Sequence, residues 1–94
     1  MNKGLIKIDY SRQFIKQLKK APREIQIAFK NRRILFNQDE FHPQLRNHSL
    51  TGKLSGYRSI NITGDWRAIF SQTSEKSIRI ITFHILGTHS QLYK

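Results

Sequence analysis

The sequence has no cysteine, only two prolines and five glycines, and only six acidic residues. Without a thiol there is no disulfide framework and no thiolate metal site, and such a chain suits a reducing compartment; the cytoplasm is the expected location. With so little Pro and Gly there is no linker-like or low-complexity tract, so residues 1–94 are expected to form one domain. A chain of that size buries roughly 60 to 65% of its unfolded surface, enough for one modest core. No run of about 18 apolar residues occurs, so no membrane-spanning helix is expected. The opening MNKGLIKIDY lacks the apolar segment and small-residue cleavage site of a secretory signal.

The few acids stand against 17 lysines and arginines, a formal net charge of +11. An excess of that size must be spread over the surface, where its commonest partner is a polyphosphate; nucleic acid is the expected ligand, bound with a strong salt dependence. The alternatives are a basic chain that is merely soluble and one neutralised by an acidic partner chain. The shortage of carboxylates also restricts the chemistry. Nuclease catalysis by Mg²⁺ needs several acids converging on the ion, whereas Asp9, Glu24, Asp39, Glu40, Asp65 and Glu75 are scattered. His42, His48, His84 and His89 show no paired-ligand spacing and have no cysteine partners for zinc. No glycine-rich phosphate loop is present. Neither a metal nor a cofactor is expected.

What the chain does contain reads as an α+β order. Residues 4–9 (GLIKID) suit a first strand. Ser11 is a candidate N-cap for a helix in which Phe14, Ile15 and Leu18 recur at helical spacing. Ala21-Pro22 breaks that helix and starts a second, running to about Asn37 with Ile25, Ala28, Phe29 and Phe36 near one stripe. Residues 37–49 are polar and irregular. Residues 57–62 alternate as a strand, Thr63-Gly64-Asp65 is turn chemistry, and residues 66–71 form the next strand, with Trp66, Ala68 and Phe70 opposed to Arg67, Ile69 and Ser71. Residues 72–76 are expected to be a hairpin loop. Residues 78–86, apolar on both faces, suit an interior strand.

With metals disfavoured, acid/base chemistry on RNA remains. A 2′-hydroxyl can attack the adjacent phosphorus if a base takes its proton, an acid protonates the leaving 5′-oxygen and a cation stabilises the phosphorane. Histidine can act as base or acid near neutral pH, arginine offers a fork for a phosphoryl group, and aromatic rings stack splayed bases.

The residues His48-Ser49-Leu50-x-Gly52-Lys53-Leu54-x-Gly56-Tyr57-Arg58, then Gly64-Asp65-Trp66-Arg67-Ala68-Ile69-Phe70, then Gly87-Thr88-His89-Ser90-x-Leu92-Tyr93 resemble the RelE/ParE toxin superfamily, and within it the YafQ-type messenger-RNA interferases. Phe14-x-x-x-Leu18-x-Lys20-x-Pro22 fits the first helix pair of that superfamily, so the likeness spans nearly the whole chain. The resemblance implies a RelE-like β-α-α-β-β-β fold, two N-terminal helices packed on a small, mainly antiparallel twisted sheet. It further implies the toxin of a type II toxin–antitoxin system. Such a toxin is a metal-independent, ribosome-dependent endoribonuclease that cuts messenger RNA in the ribosomal A site and is neutralised by an acidic antitoxin.

By position in those motifs, His48 is implied as general base or phosphate binder, and Asp65 as an acid that orients a histidine or meets the 2′-hydroxyl. Arg67 is implied as transition-state cation, His89 as general acid and Tyr93 as a stacking or proton-donating ring. Lys53, Arg58 and Trp66 are candidate RNA contacts; Trp66 reads first as core or a hairpin anchor, Asp65 equally as a turn residue, and Lys53 also as a loop charge. YafQ-type chains have a second histidine where this chain has Asn61, and an arginine where it has Ile85. Two alternatives stay open: a ParE-like toxin that inhibits DNA gyrase, and a nucleic-acid-binding regulator without nuclease activity.

Overall fold

The computed structural model describes residues 5–93. Strand β1 (Leu5–Tyr10) ends where Ser11 takes an extended backbone and its Oγ accepts the Phe14 N–H at 3.0 Å, capping helix α1 (Arg12–Lys20). Lys19 and Lys20 in the last turn complement the negative end of the helix. Pro22 then caps α2 (Arg23–Gln38) through its carbonyl, which accepts the N–H groups of Ile25 and Gln26. A proline there costs no hydrogen bond, and the break lets α2 turn back on α1.

Four further strands follow: β2 (His48–Ser49), β3 (Arg58–Asn61), β4 (Trp66–Glu75) and β5 (Ile78–Thr88), and the chain closes with the short helix α3 (His89–Leu92). The sheet runs β1-β5-β4-β3-β2, with β1 parallel to β5 and the other pairs antiparallel. The fold is therefore the α+β arrangement implied by the sequence, with β5 interior as its two apolar faces require. Gly4, the first residue of the expected strand, lies outside the described residues.

One face of the sheet carries the core. Phe70, Phe83, Ile60, Ala68 and Ile81 pack against Phe14, Ile25, Phe29 and Phe36 of the two helices. The rings interlock, with Phe14–Phe29 centroids 5.0 Å apart and Phe29 edge-on to Phe83 at 5.4 Å. Truncating any of these fully buried rings would cost about 3–5 kcal/mol. The register of β4 on β5 shifts between Ile69 and Phe70, which pair with Ile85 and Phe83, leaving His84 as an extra residue. This bulge keeps Phe70 and Phe83 on the helix side and leaves His84 to hydrogen-bond Ser71 Oγ at 2.8 Å, with Tyr57 edge-on to its ring.

Two local expectations are corrected. Residues 72–75 are not a hairpin loop but the continuation of β4, paired from Gln72–Ile81 to Glu75–Ile78, and only Lys76 and Ser77 form the turn. Their Gln-Thr-Ser-Glu composition shows no apolar alternation because this end of the ribbon is exposed, so pairing with β5 alone defines it. The stretch expected to be irregular contains β2; like α3 at residues 89–92, it is too short to show a period.

Candidate functional site

The loop after α2 is fixed from several directions. Arg79 of β5 makes a bidentate ion pair with Glu40 at 2.6 and 2.7 Å. Asn47 Nδ2 donates to the Glu40 carbonyl, Arg58 Nε donates to Asn47 Oδ1 at 2.8 Å, and the Arg58 guanidinium lies over the Phe41 ring. Leu45 is fully buried. This clamp delivers His48 into β2, opposite Ser59 of β3, and its Nδ1 lies 2.7 Å from the Arg46 carbonyl oxygen.

Across the sheet, Asn61, Arg67 and Gly87 sit in one row, on the side away from the helices. Arg67 Nη1 donates to the carbonyls of Gly64 at 2.9 Å, Thr63 at 3.2 Å and Trp66 at 3.3 Å, which fixes the guanidinium beside the turn. Opposite it, Gly87 has no side chain because α3 folds back there; a Cβ would meet Gln91 Oε1 at 3.1 Å and Leu92 Cδ2 at 3.2 Å. Helix α3 is held by a capping box between Thr88 and Gln91 and by a bond from the His89 N–H to the Asp65 carbonyl at 2.9 Å. Tyr93 N–H donates to the His89 carbonyl, and the two rings lie 4.8 Å apart.

These pieces enclose one open cavity of about 950 Å³, lined by Arg46, Asn47, His48, Ser49, Leu50, Thr51, Asn61, Gly64, Arg67, His89 and Tyr93. Two histidines and two arginines line it, and among the described residues no Asp or Glu does. Tyr93 lines the cavity while its hydroxyl is buried with no hydrogen-bond partner among the described residues. That favours the ring as a stacking surface over the hydroxyl as a proton donor.

The matching family model spans residues 6–94 and describes a bacterial toxin of a type II toxin–antitoxin system, YafQ. The chain belongs to this family. It is similar to the toxin in the crystal structure of the E. coli DinJ–YafQ toxin–antitoxin complex, at 26% identity and TM-score 0.72, over 93% of this chain and 96% of that one. YafQ from E. coli strain BL21(DE3) shares the fold at 24% identity and TM-score 0.71, over 93% and 97% of the two chains. A YoeB/ParE toxin from Agrobacterium tumefaciens shares it at 14% identity and TM-score 0.71, over 88% and 98%. No curated protein sequence matches the chain.

Of the residues implied by the YafQ likeness, His48, Arg67, His89 and Tyr93 meet in the cavity. Asp65 does not line it: its side chain is exposed in the turn, and the residue acts on the site through the carbonyl that anchors His89. Three candidate RNA contacts also lie off the cavity wall. Arg58 is committed to Asn47 and Phe41, and Lys53 is exposed in a 3-10 turn, after which Gly56 reverses the chain with φ 94°. Trp66 packs against the core and borders a separate hollow of about 560 Å³ with Ile69, Ile85 and Leu86. Trp66 is thus the hairpin anchor of the two readings, because strand alternation turns it to the helix side while Arg67 faces the cavity. Asn61, where YafQ-type chains have histidine, lies in the cavity, and Ile85 does not. Arg46 also lines the cavity, and no motif in the sequence points to it, because its left-handed backbone is set by contacts across the fold.

Proposed function

We propose that this toxin is a ribosome-dependent endoribonuclease that cleaves messenger RNA without a metal cofactor. The observation that carries this reading is the cavity wall, where His48, His89, Arg46 and Arg67 gather with no Asp or Glu among the described lining residues. Such a wall suits a phosphodiester and supplies too few hard oxygen donors for Mg²⁺.

In this reading His48 takes the proton from a ribose 2′-hydroxyl, and the 2′-oxygen attacks the adjacent phosphorus. Arg67, held by three carbonyls before any substrate arrives, stabilises charge on the phosphorane without reorganising. The bond from phosphorus to the 5′-oxygen breaks and His89 supplies that oxygen's proton. The products are a 2′,3′-cyclic phosphate and a free 5′-hydroxyl. The Tyr93 ring stacks on a base next to the cut, and the Asp65 carbonyl sets the start of α3 and with it His89. The presence of the E. coli relative in a complex with DinJ supports an antitoxin partner for this chain too. A formal charge of +11 favours an acidic one.

Removing a positioned general acid typically costs about 10²–10⁴-fold in rate. Expression of the toxin should arrest growth with cut messages, and His89→Ala should relieve the arrest and leave the messages intact. A His89→Ala protein that arrests growth while messages stay whole would refute the nuclease reading.

A further inference from the structure

Arg46 has a left-handed backbone, φ 48° and ψ 46°, which among described non-glycine residues only Lys76, in the β4–β5 turn, shares. L-residues with a Cβ avoid that conformation, and where one is held in it the surroundings must enforce it, often at a functional site. Here Leu45 is buried immediately before it, the Arg46 N–H donates to the Pro43 carbonyl, and Asn47 after it is bonded to both Glu40 and Arg58. The consequence is local and chemical. The Arg46 carbonyl is turned onto His48 Nδ1 at 2.7 Å. A carbonyl only accepts, so Nδ1 carries the ring hydrogen of the neutral imidazole and Nε2 keeps the lone pair.

The side chain is equally distinctive. Both arginines line the cavity, but Arg67 shares Nη1 among three carbonyls, whereas the Arg46 guanidinium makes no hydrogen bond or ion pair among the described residues. The geometry points to Arg46 as a substrate-contacting residue of this cavity: its free guanidinium takes a non-bridging phosphate oxygen of an RNA strand, while its carbonyl holds His48 with Nε2 as the proton acceptor. Binding and base orientation are thereby joined in one residue. This inference rests on the nuclease reading for the identity of the ligand, not for the cutting itself.

Glycine and asparagine both tolerate the left-handed conformation, so Arg46→Gly and Arg46→Asn remove the cation and keep the carbonyl in place, whereas Arg46→Val penalises the backbone. The probe is a short 2′-O-methyl RNA, which binds but cannot be cut. Arg46→Gly and Arg46→Asn should each weaken binding about tenfold and lower the salt slope of log affinity by about 0.7, the value for one phosphate contact on a single strand. Nitrogen NMR of the His48 ring should show a protonated Nδ1 in the neutral wild type and in Arg46→Gly, with mixed tautomers in Arg46→Val. Binding by both Gly and Asn variants within twofold of wild type would overturn the inference, as would a protonated Nε2 in the neutral wild-type ring. The nuclease reading fails separately. If wild type binds this RNA through Arg46 yet cuts no message, that reading falls and the present one stands; if messages are cut and the variants bind normally, the reverse holds.

Discussion

The proposed reaction asks a base and an acid of the same residue type to be told apart by their surroundings, and the surroundings of His48 and His89 differ. His48 has one ring nitrogen committed to a backbone carbonyl, while His89 is fixed through its own N–H and faces the Tyr93 ring. Tyr10 shows the same dependence on surroundings away from the site. Its ring stacks near Phe14 and Phe83, and burial pushes its hydroxyl above the ordinary value of 10.0, a rise that the Arg33 charge partly offsets. Folding therefore favours the neutral phenol. Its contribution to stability is present below the unfolded value and is lost as pH rises through the folded one. From about pH 8 to about pH 11, around the ordinary tyrosine value, the wild-type melting temperature should fall further than that of Tyr10→Phe. Equal falls would remove Tyr10 from the account. Of the cavity residues, His48, Arg67, His89 and Tyr93 were legible because they stand in recognisable strings. Arg46 was not, since a positive φ depends on what Leu45 and Asn47 contact across the fold.

The helices and the longer strands were readable because each buries a stripe or a face. Phe14 with Leu18, and Ile25 with Phe29 and Phe36, announce α1 and α2, and Trp66, Ala68 and Phe70 announce the core side of β4. The polar half of β4 has no such face, and β2 and α3 are too short for any periodicity. Yet α3 carries the proposed acid, so its stability bears directly on function. Thr88 caps it, with Oγ1 accepting the Gln91 N–H while its own N–H donates to Gln91 Oε1. Thr88→Ala removes the first bond at a cost of about 1 kcal/mol. The loss should stay local, speeding amide exchange at Tyr93 about fivefold with little change in melting temperature, and it should slow cleavage. Unchanged exchange at Tyr93 would mean that Asp65 and packing on Gly87 hold α3 without the cap.

For the molecule as a whole, the two sides of one sheet divide the work. The helix side supplies the aromatic core, and the opposite side, left clear of helices except for α3, presents the cation-rich cavity. The excess of positive charge, legible from composition alone, gives the sign of the partner, but only strand register determined which residues converge. In particular, Arg67 faces the cavity because it pairs with Asn61 and Gly87, a row that α3 alone among the helices reaches, at Gly87. In the proposed reaction this wall promotes attack by the neighbouring 2′-hydroxyl rather than by metal-activated water, and the ends of the cut strand report which occurs. Messages translated in the presence of the toxin should carry a 2′,3′-cyclic phosphate on the upstream fragment and a 5′-hydroxyl on the downstream one. A 3′-hydroxyl paired with a 5′-phosphate would contradict the account.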